Sequence, residues 1–505
     1  MKGSSYIEIQ NGQNIRIADI PVLDYPEFFN TVEQLMQDTN NHVMIYYAVD
    51  CNDYLKYYCC IGNDADHLIK VLAHSHDKSC KILDSITVEV PAFHIFEREI
   101  HENFGIQFHG HPWLKPIRWS FDRFNQSSVM DNYPFFTIEG EELHEVGVGP
   151  VHAGIIEPGH FRFICNGEKV LHLEIHLGYQ HRGVERLFLE RKSGLQRAVL
   201  SESIAGDTSV AGALVHAQLM ESLAGISVSD SLQLERCIAL ELERIAIHIG
   251  DTAALCTDVA YQLGQVVNEA LRTTIINTTQ FWCGNRFGKG LIRPGGTHYP
   301  LSRAVSEQIK SVLADTGRRY CEIADRIYSL PSVLARFDGI GEVTEKQVSD
   351  IGAVGMAARS AGLKRDIRQS HPFQYFRQYH FDPVVQSTGD VLARGMLRNL
   401  EVRESVRIIG ELLKICHESE VKHPVPVPDY KLEPGMFAIS VAEAWRGELC
   451  HCAITDEKGN LKHYKVKDPS MHNWFALALA VRNQEISDFP VCNKSFNLSY
   501  CGFDL

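Results

Sequence analysis

The hydrophobic pattern of the first part of the chain mixes helix and strand periods. Residues 26–38 carry apolar positions at helical spacing, whereas residues 43–47 and 86–90 are short apolar runs typical of strands. Residues 125–145 lose this periodicity and gain turn formers, which is the composition of a linker. The pattern therefore predicts a small α/β domain over residues 1–124.

Residues 146–505 form a second region with strand patterns at both ends and helices between them. A hairpin is predicted over 161–175, because two strand-like runs flank the turn pair Asn-Gly. Helical stripes follow over 232–250 and 391–415, and two alternating strands flank the turn at 456–460. The expected fold class is α+β: a small N-terminal α/β domain followed by a mainly helical domain with β elements at both ends.

Charged residues occur at helical spacing in both predicted helices. Arg244, His248 and Asp251 share one face of the first, and this face is either a solvated surface or a buried hydrogen-bonded network. The second helix carries four residues spaced for pairing along its own surface: Arg394, Arg398, Glu401 and Glu404.

The composition of the chain excludes several classes of protein. The chain has 505 residues, 45% of them hydrophobic and 22% charged, so it folds without needing disulfides or metal. The net charge of −14 comes without a basic block, which argues against a nucleic-acid partner. No stretch reaches the roughly 18–20 apolar residues of a membrane helix, and no signal-peptide core follows the start. We therefore expect a cytosolic chain with no transmembrane segment.

The 14 cysteines are scattered, as expected of reduced thiols. The only close pairs are Cys59-Cys60 and Cys450-His451-Cys452, and no C-x-x-C occurs. Neither a zinc ribbon nor an iron–sulfur cluster therefore has an obvious set of ligands in this chain.

Residues 96–106 and 110–112 form an unusually dense run of charged and aromatic residues. Composition alone favours a solvated helix that ends at Gly105 and is followed by a turn. The order Phe-Glu-Arg-Glu, Phe-Gly-Ile and Gly-His-Pro also resembles the signature of the 30-kDa (C-type) subunit of complex I. This resemblance covers roughly residues 20–124.

Six further motifs follow in the order found in the complex I 49-kDa (D-type) subunit and in [NiFe]-hydrogenase large subunits: residues 149–152, 157–162, 178–185, 292–296, 361–366 and 446–449. The fusion of both types, with Glu-Pro-Gly-His in place of His-Pro-x-x-His, resembles the group 4, formate-hydrogenlyase-type branch. The resemblance implies a hydrogenase large-subunit-like domain over residues 146–505.

A [NiFe] centre needs four thiolates, because soft sulfur ligands hold low-valent nickel and its iron. In the family they come from two C-x-x-C pairs. The matching positions here are Ala205, Thr208, Ser470 and Asn473. We therefore expect no [NiFe] centre and no metal ligand at these positions, as in the branch of the family that lacks the nickel cysteines.

In complex I the same cavity receives a quinone headgroup, which is bound by a histidine and a tyrosine. The histidine loop here contains His152, and its second histidine is missing unless His160 replaces it. The tyrosine position falls near Gly206, beside Asp207, and the preceding arginine is Ser203. A quinone remains a candidate ligand, but its binding would need a different set of donors.

The resemblance also implies roles for individual side chains. Five are expected to make proton or substrate contacts: Glu157, His152, His160, Asp207 and Asp468. Three arginines are expected to supply positive charge near the cavity or a partner cluster, or to form buried pairs: Arg182, Arg293 and Arg446. Glu157 is the strongest candidate, because a glutamate in the matching hydrogenase loop passes protons. Histidines 152, 160, 172, 176 and 181 are candidates for a proton path.

The implied protein is a peripheral subunit on the cytoplasmic face of the inner membrane. It would dock on a small subunit carrying a [4Fe–4S] cluster and on an ion-translocating membrane arm, and would itself bind no cofactor firmly. Three functions stay open: a redox-site subunit with a quinone or unknown acceptor, a non-catalytic scaffold that transmits conformational change, and a true hydrogenase, which the missing cysteines disfavour.

Overall fold

The structure is a computed structural model that describes residues 4–152, 156–418, 426 and 430–505. The N-terminal elements are β1 (Ile7–Ile9), β2 (Asn14–Arg16), β3 (Val22–Leu23), α1 (Tyr25–Met36), β4 (Asn41–Cys51), β5 (Tyr54–Asn63), β6 (Leu68–Asp77), β7 (Ile82–Asp84), α2 (His94–Phe104) and β8 (Gln107–His109). Strands β4, β5 and β6 run antiparallel, and β6 also pairs with β1 and β3.

Two N-terminal predictions have opposite outcomes. The strand predicted at 43–47 is confirmed, since it lies in the buried part of β4. The strand predicted at 86–90 is wrong, because Ile86–Val88 is a 3₁₀ turn. Its backbone cannot join a ladder there, since the Ile86 N–H donates to the buried carboxylate of Glu97 (2.7 Å) and Pro91 opens the next turn.

The second region begins in β structure, as predicted, but its last strand is followed by three α-helices, so the prediction that it ends in β structure is wrong. Its first part contains β9 (Leu143–Val148), β10 (His160–Asn166), β11 (Lys169–His176), α3 (Val184–Glu190), α4 (Gly194–Ser201), α5 (Ser209–Ala224), α6 (Asp230–Asp258), α7 (Gln262–Cys283) and α8 (Arg303–Ile327). Its second part contains α9 (Pro331–Phe337), α10 (Glu345–Asp350), α11 (Gly355–Arg359), α12 (Ile367–Ser370), α13 (Val391–Glu418), β12 (Met436–Ala444), β13 (Gly447–Thr455), β14 (Leu461–Lys467), α14 (Ser470–Val481), α15 (Phe489–Phe496) and α16 (Tyr500–Asp504). The α+β class is confirmed.

Helices α6, α7, α8 and α13 pack together as the centre of the second region. The charged face of α6 is buried rather than solvated, since Arg244 and His248 are fully buried and Asp251 nearly so. The pairing predicted along α13 is wrong for Arg398 and Glu401. Arg398 instead reaches Asp251 of α6 (2.8 Å), because α13 is enclosed by other elements. The buried network is thus confirmed, with its partners drawn from several elements.

The N-terminal residues and the C-terminal strands share a sheet. Strand β2 pairs with β12 in a four-stranded sheet of order β14-β13-β12-β2. Buried Lys465 of β14 reaches back to Glu99 of α2 at 2.6 Å. The two regions are therefore joined by backbone and by buried charge. Among the described helices, none combines the length and the apolar character that a membrane crossing requires.

Candidate functional site

The loop between α4 and α5 carries the first pair of degenerate ligand positions. Ala205 and Thr208 are buried, and Asp207 between them is about one-third exposed. The backbone N–H groups of Val210 and Ala211, which open α5, donate to the carboxylate of Glu243 at 2.7 and 3.2 Å. The start of α5 is thereby fixed against α6.

Arg446 lies at the turn after β12 and binds this loop. Its guanidinium donates to both carboxylate oxygens of Asp207 (2.8 and 2.7 Å), to Thr208 Oγ1 (3.2 Å) and to the Asn497 carbonyl (2.6 Å). The guanidinium also lies 3.9 Å from the centre of the Trp445 ring. Arg446 therefore occupies the centre of the polar cluster that replaces the first thiolate pair.

Carboxylates surround this buried arginine. Burial opposes its charge, but Asp207, Asp468 and Asp251 outweigh burial and raise the pKa of Arg446. Burial likewise opposes the ionised form of Asp207, yet Arg446 lowers the pKa of that carboxyl. The structure thus brings Asp207 and Asp468 to one cation, a relation that the sequence could not establish.

Helix α14 carries the second pair of degenerate positions, Ser470 and Asn473. Ser470 Oγ accepts from the Ser499 N–H at 2.9 Å. The Asn473 amide pairs with the Val354 backbone, accepting from its N–H (3.0 Å) and donating to its carbonyl (3.1 Å). Both side chains are fully buried and committed to protein partners.

Asp468 is a protonatable group at this end of the site. Burial raises its pKa despite the nearby Arg446, and its Oδ1 accepts from the Ser470 N–H at 2.8 Å. A Cβ added to Gly502 would lie 2.4 Å from Asp468 Oδ2, so α16 packs directly on the carboxyl group. Only glycine fits at that contact.

Cys501 is influenced by two of the predicted site residues. Its pKa is raised to about 11, by burial first and then by the carboxyl groups of Glu157 and Asp468. The Cys501 Sγ is 3.5 Å from the Ser499 hydroxyl. Glu157 and Asp468 therefore both act electrostatically on the Cys501 thiol, and Asp468 also acts on Arg446.

The other two candidate arginines have different surroundings. Arg182 is exposed and donates to the carbonyls of Ser203 (2.9 Å), Ile204 (2.7 Å) and Cys501 (3.2 Å), so it joins the α4–α5 loop to α16. Arg293 is buried and paired with Glu202 at 2.5 Å. Arg182 therefore borders the cluster, whereas Arg293 forms a buried pair that supports α4.

The two candidate histidines bond the backbone of their own loop. His152 Nε2 lies 3.0 Å from the Gly159 carbonyl, and His160 Nδ1 lies 3.0 Å from the Gly149 carbonyl. Residues 153–155, between them, lie outside the described residues. Farther along, burial lowers the pKa of His176 to about 3, so His176 is neutral at physiological pH. The histidine proton path stays a prediction.

The donors at the four positions do not fit a [NiFe] centre. Alanine offers no donor, and the hydroxyl and amide groups of the other three positions are hard ligands already engaged in protein hydrogen bonds. Within the described residues, no group of three or more His, Cys, Asp or Glu side chains is arranged to hold a metal ion.

Two residues of the site were missed by sequence reasoning. Cys501 carries no motif, although Ser499 three residues before Gly502 is an N-cap pattern that predicts α16. Glu243 follows an apolar stripe in α6 and has no distinctive spacing. Its small cavity is shared with Asp207, and burial raises the pKa of Glu243 to about 8.

We predict a pH effect from Glu243. Between its ordinary pKa of 4.5 and its folded value of about 8, the folded chain keeps a proton that the unfolded chain loses. The contribution of Glu243 to stability therefore falls as pH rises across this window. Glu243→Gln imitates the protonated carboxyl, so the free energy of unfolding of the variant minus that of wild type should increase from pH 4.5 to pH 8. Denaturant titrations at several pH values measure this difference in free energy. Glu168→Gln, at an exposed turn, is the control. A difference for Glu243→Gln that does not change with pH would contradict the prediction.

Comparisons with known proteins identify the family of the chain. The family model of the respiratory-chain NADH dehydrogenase 30-kDa subunit matches residues 23–127, and that of the 49-kDa subunit matches residues 264–432. The chain is 30% identical to the carbon monoxide-induced hydrogenase of Rhodospirillum rubrum over 362 residues, which is 70% of this chain and 97% of that protein.

Two other relatives represent the hydrogenases and the NADH-quinone oxidoreductases. Formate hydrogenlyase subunit 5 of Escherichia coli is 27% identical over 82% of this chain and 76% of its own length. NADH-quinone oxidoreductase subunit 4 of Thermus thermophilus is 27% identical over 69% of this chain and 90% of its own length. The chain therefore belongs to the family that unites the complex I 49-kDa subunit with these hydrogenases, carries a complex I 30-kDa domain fused in front, and is an oxidoreductase subunit.

Proposed function

We propose that the chain is the peripheral redox-site subunit of a membrane-bound, complex I-like oxidoreductase without a [NiFe] centre. It would take electrons from a [4Fe–4S] cluster in a partner small subunit and pass them to a quinone or another acceptor, and a membrane arm would couple this transfer to ion translocation. The names of the relatives support this setting, since they include both hydrogenases and NADH-quinone oxidoreductases.

One observation carries the proposal. The site that corresponds to the nickel ligands has no cysteine at the four ligand positions, but it groups a cation, Arg446, with a protonatable carboxyl, Asp468, and the charge of Glu157 acts on the nearby Cys501. Such a group suits a reaction in which an acceptor gains electrons and protons. A buried Asp468 with a raised pKa can hold a proton, and Arg446 can stabilise negative charge that develops on the acceptor.

Each residue of the site has a separate role in this proposed reaction. Reduction of a quinone to a quinol consumes two electrons and two protons. Glu157 is half-buried, and in this proposal it receives protons from solvent. Asp468 is buried and would hold a proton for the acceptor, while Arg182 joins the α4–α5 loop to α16.

The test is the Glu157→Gln variant of the assembled complex with a soluble quinone analogue. Removing a proton-transfer group should lower turnover about tenfold or more without changing the midpoint of thermal unfolding. Glu168→Gln, in the turn of the same β-hairpin, is exposed and should leave turnover unchanged. Quinone reduction that is equal in wild type and Glu157→Gln would refute the assigned role of Glu157.

A scaffold function is the second candidate, and the buried pairing of Ser470 and Asn473 favours it. These side chains now stabilise α14 against Ser499 and Val354, as expected of a retained fold. A wild-type complex that transfers no electrons to any quinone analogue, while ion translocation still requires this chain, would support the scaffold.

A further inference from the structure

A cavity of about 250 Å³ lies between α2, β11 and α14, and its α14 wall runs from Met471 to Arg482. Its walls are mainly aromatic and aliphatic. We call it the aromatic cavity and define it by His94, Trp113, Ile117, Tyr133, Trp474 and Phe475. An apolar cavity of about 150 Å³ accommodates one benzene ring, so the aromatic cavity has room for roughly a two-ring molecule.

Two histidines of the wall have buried ring nitrogens without a partner among the described residues: His94, at both nitrogens, and His172, at Nε2. His94 is 2% exposed, and neither of its ring nitrogens makes a hydrogen bond within the described part of the chain. Its ring is packed against Trp113 and Phe475, with centroids 5.1 and 5.3 Å apart. Burial keeps the imidazole neutral by lowering its pKa, so His94 offers one donor and one acceptor to a ligand.

The buried charges of the wall are already engaged. Arg98 donates to the carbonyls of Lys115 (2.9 Å) and Pro116 (3.0 Å). Glu174 is paired with Lys115 at 2.5 Å and accepts from the Phe136 N–H at 2.9 Å. A charged ligand would therefore lose its hydration without gaining a counter-ion in the cavity, so the binding of a charged ligand is strongly disfavoured.

We propose that the aromatic cavity binds an uncharged aromatic small molecule of about two rings, whose hydroxyl or carbonyl group hydrogen-bonds His94. The ligand would lie between the 30-kDa-like domain and α14, so it would stabilise the contact between the two regions of the chain. The proposal does not depend on the redox function, because none of the cluster residues around Arg446 lines this cavity.

The test uses 2-naphthol as the probe and calorimetric titration of the full chain. Wild type should bind one equivalent. His94→Leu should bind about fivefold more weakly, the effect of one lost hydrogen bond. Ala478→Phe fills the cavity from α14 and should abolish binding, and Ala478→Leu is the smaller alternative if the first variant does not fold. Ala304→Phe, at an exposed position of α8, is the matched control.

Two results would overturn the proposal. One is the absence of 2-naphthol binding to wild type, or binding that survives in a folded Ala478 variant. The other is tighter binding of the anion 2-naphthoate than of 2-naphthol, because Arg482 at the cavity wall is exposed and would then be the recognising group.

Discussion

Glu401→Gln is expected to destabilise the folded chain by about 3–5 kcal/mol, because it removes the charge at the centre of a buried ion network. Glu401 accepts from Arg359 of α11, from Arg244 (3.2 Å) and from His248 (2.7 Å), and all four side chains are essentially inaccessible to solvent. Burial opposes its ionisation, yet Arg359 and Arg244 hold the pKa of Glu401 well below its usual value. The side-chain amide of a glutamine would place its own N–H donors opposite the N–H donors of the two arginines.

Glu404→Gln is the control, since it lies one turn away on α13 and pairs with Arg407, whose side chain is 45% exposed. An exposed pair of this kind contributes less than about 1 kcal/mol. Denaturant midpoints of the two variants measure the contrast. Equal midpoints would show that the network around Glu401 does not stabilise the fold.

Arg446→Leu is expected to cost about 3 kcal/mol at neutral pH, because Asp207, Asp468 and Asp251 would face one another without their shared cation. The loss should shrink as pH falls, since the unpaired carboxyl groups become protonated more easily than in wild type. The double variant Arg446→Leu/Asp207→Asn removes one unpaired carboxylate and should recover part of the loss. Denaturant midpoints at pH 5 and pH 8 measure both effects.

Arg186→Leu is the matched control for this change. Its guanidinium is 48% exposed and pairs with Asp122 and Glu190, so its loss should cost less than about 1 kcal/mol at either pH. A loss in Arg446→Leu that does not depend on pH would contradict the electrostatic account of the cluster.

The sequence predicts helices and strands correctly where a single hydrophobic periodicity dominates the segment. The apolar stripe of α6, the Asn-Gly hairpin and the helix end at Gly105 are confirmed, because each is set by residues within a few positions. The prediction that the helix ending at Gly105 is solvated is wrong, since most of its side chains are buried. The strand expected at residues 86–90 is wrong because Ile86 and Thr87 are buried in a 3₁₀ turn held by Glu97, whereas Val88 is exposed. The hydrophobic periodicity of a segment carries no information about a side chain from another element that hydrogen-bonds to it.

The partners of buried charges were the least predictable feature. Helical spacing suggested that Arg398 and Glu401 would pair on α13, but each pairs across the core with residues that are distant in the sequence. The same holds for β2, which adds to β12 more than 400 residues later. The identities of the degenerate positions were readable from the motifs, whereas their hydrogen bonds, the central place of Arg446 and the presence of Cys501 required the three-dimensional structure.

The central claim is that this member of the family works without a [NiFe] centre. The most direct measurement is the nickel content of the complex purified under anaerobic conditions from nickel-supplemented cells, together with hydrogen uptake by the same sample. The account predicts nickel far below one per chain and no hydrogen uptake. About one nickel per chain with hydrogen uptake would contradict it, since a metal site would then exist without thiolates at Ala205, Thr208, Ser470 and Asn473.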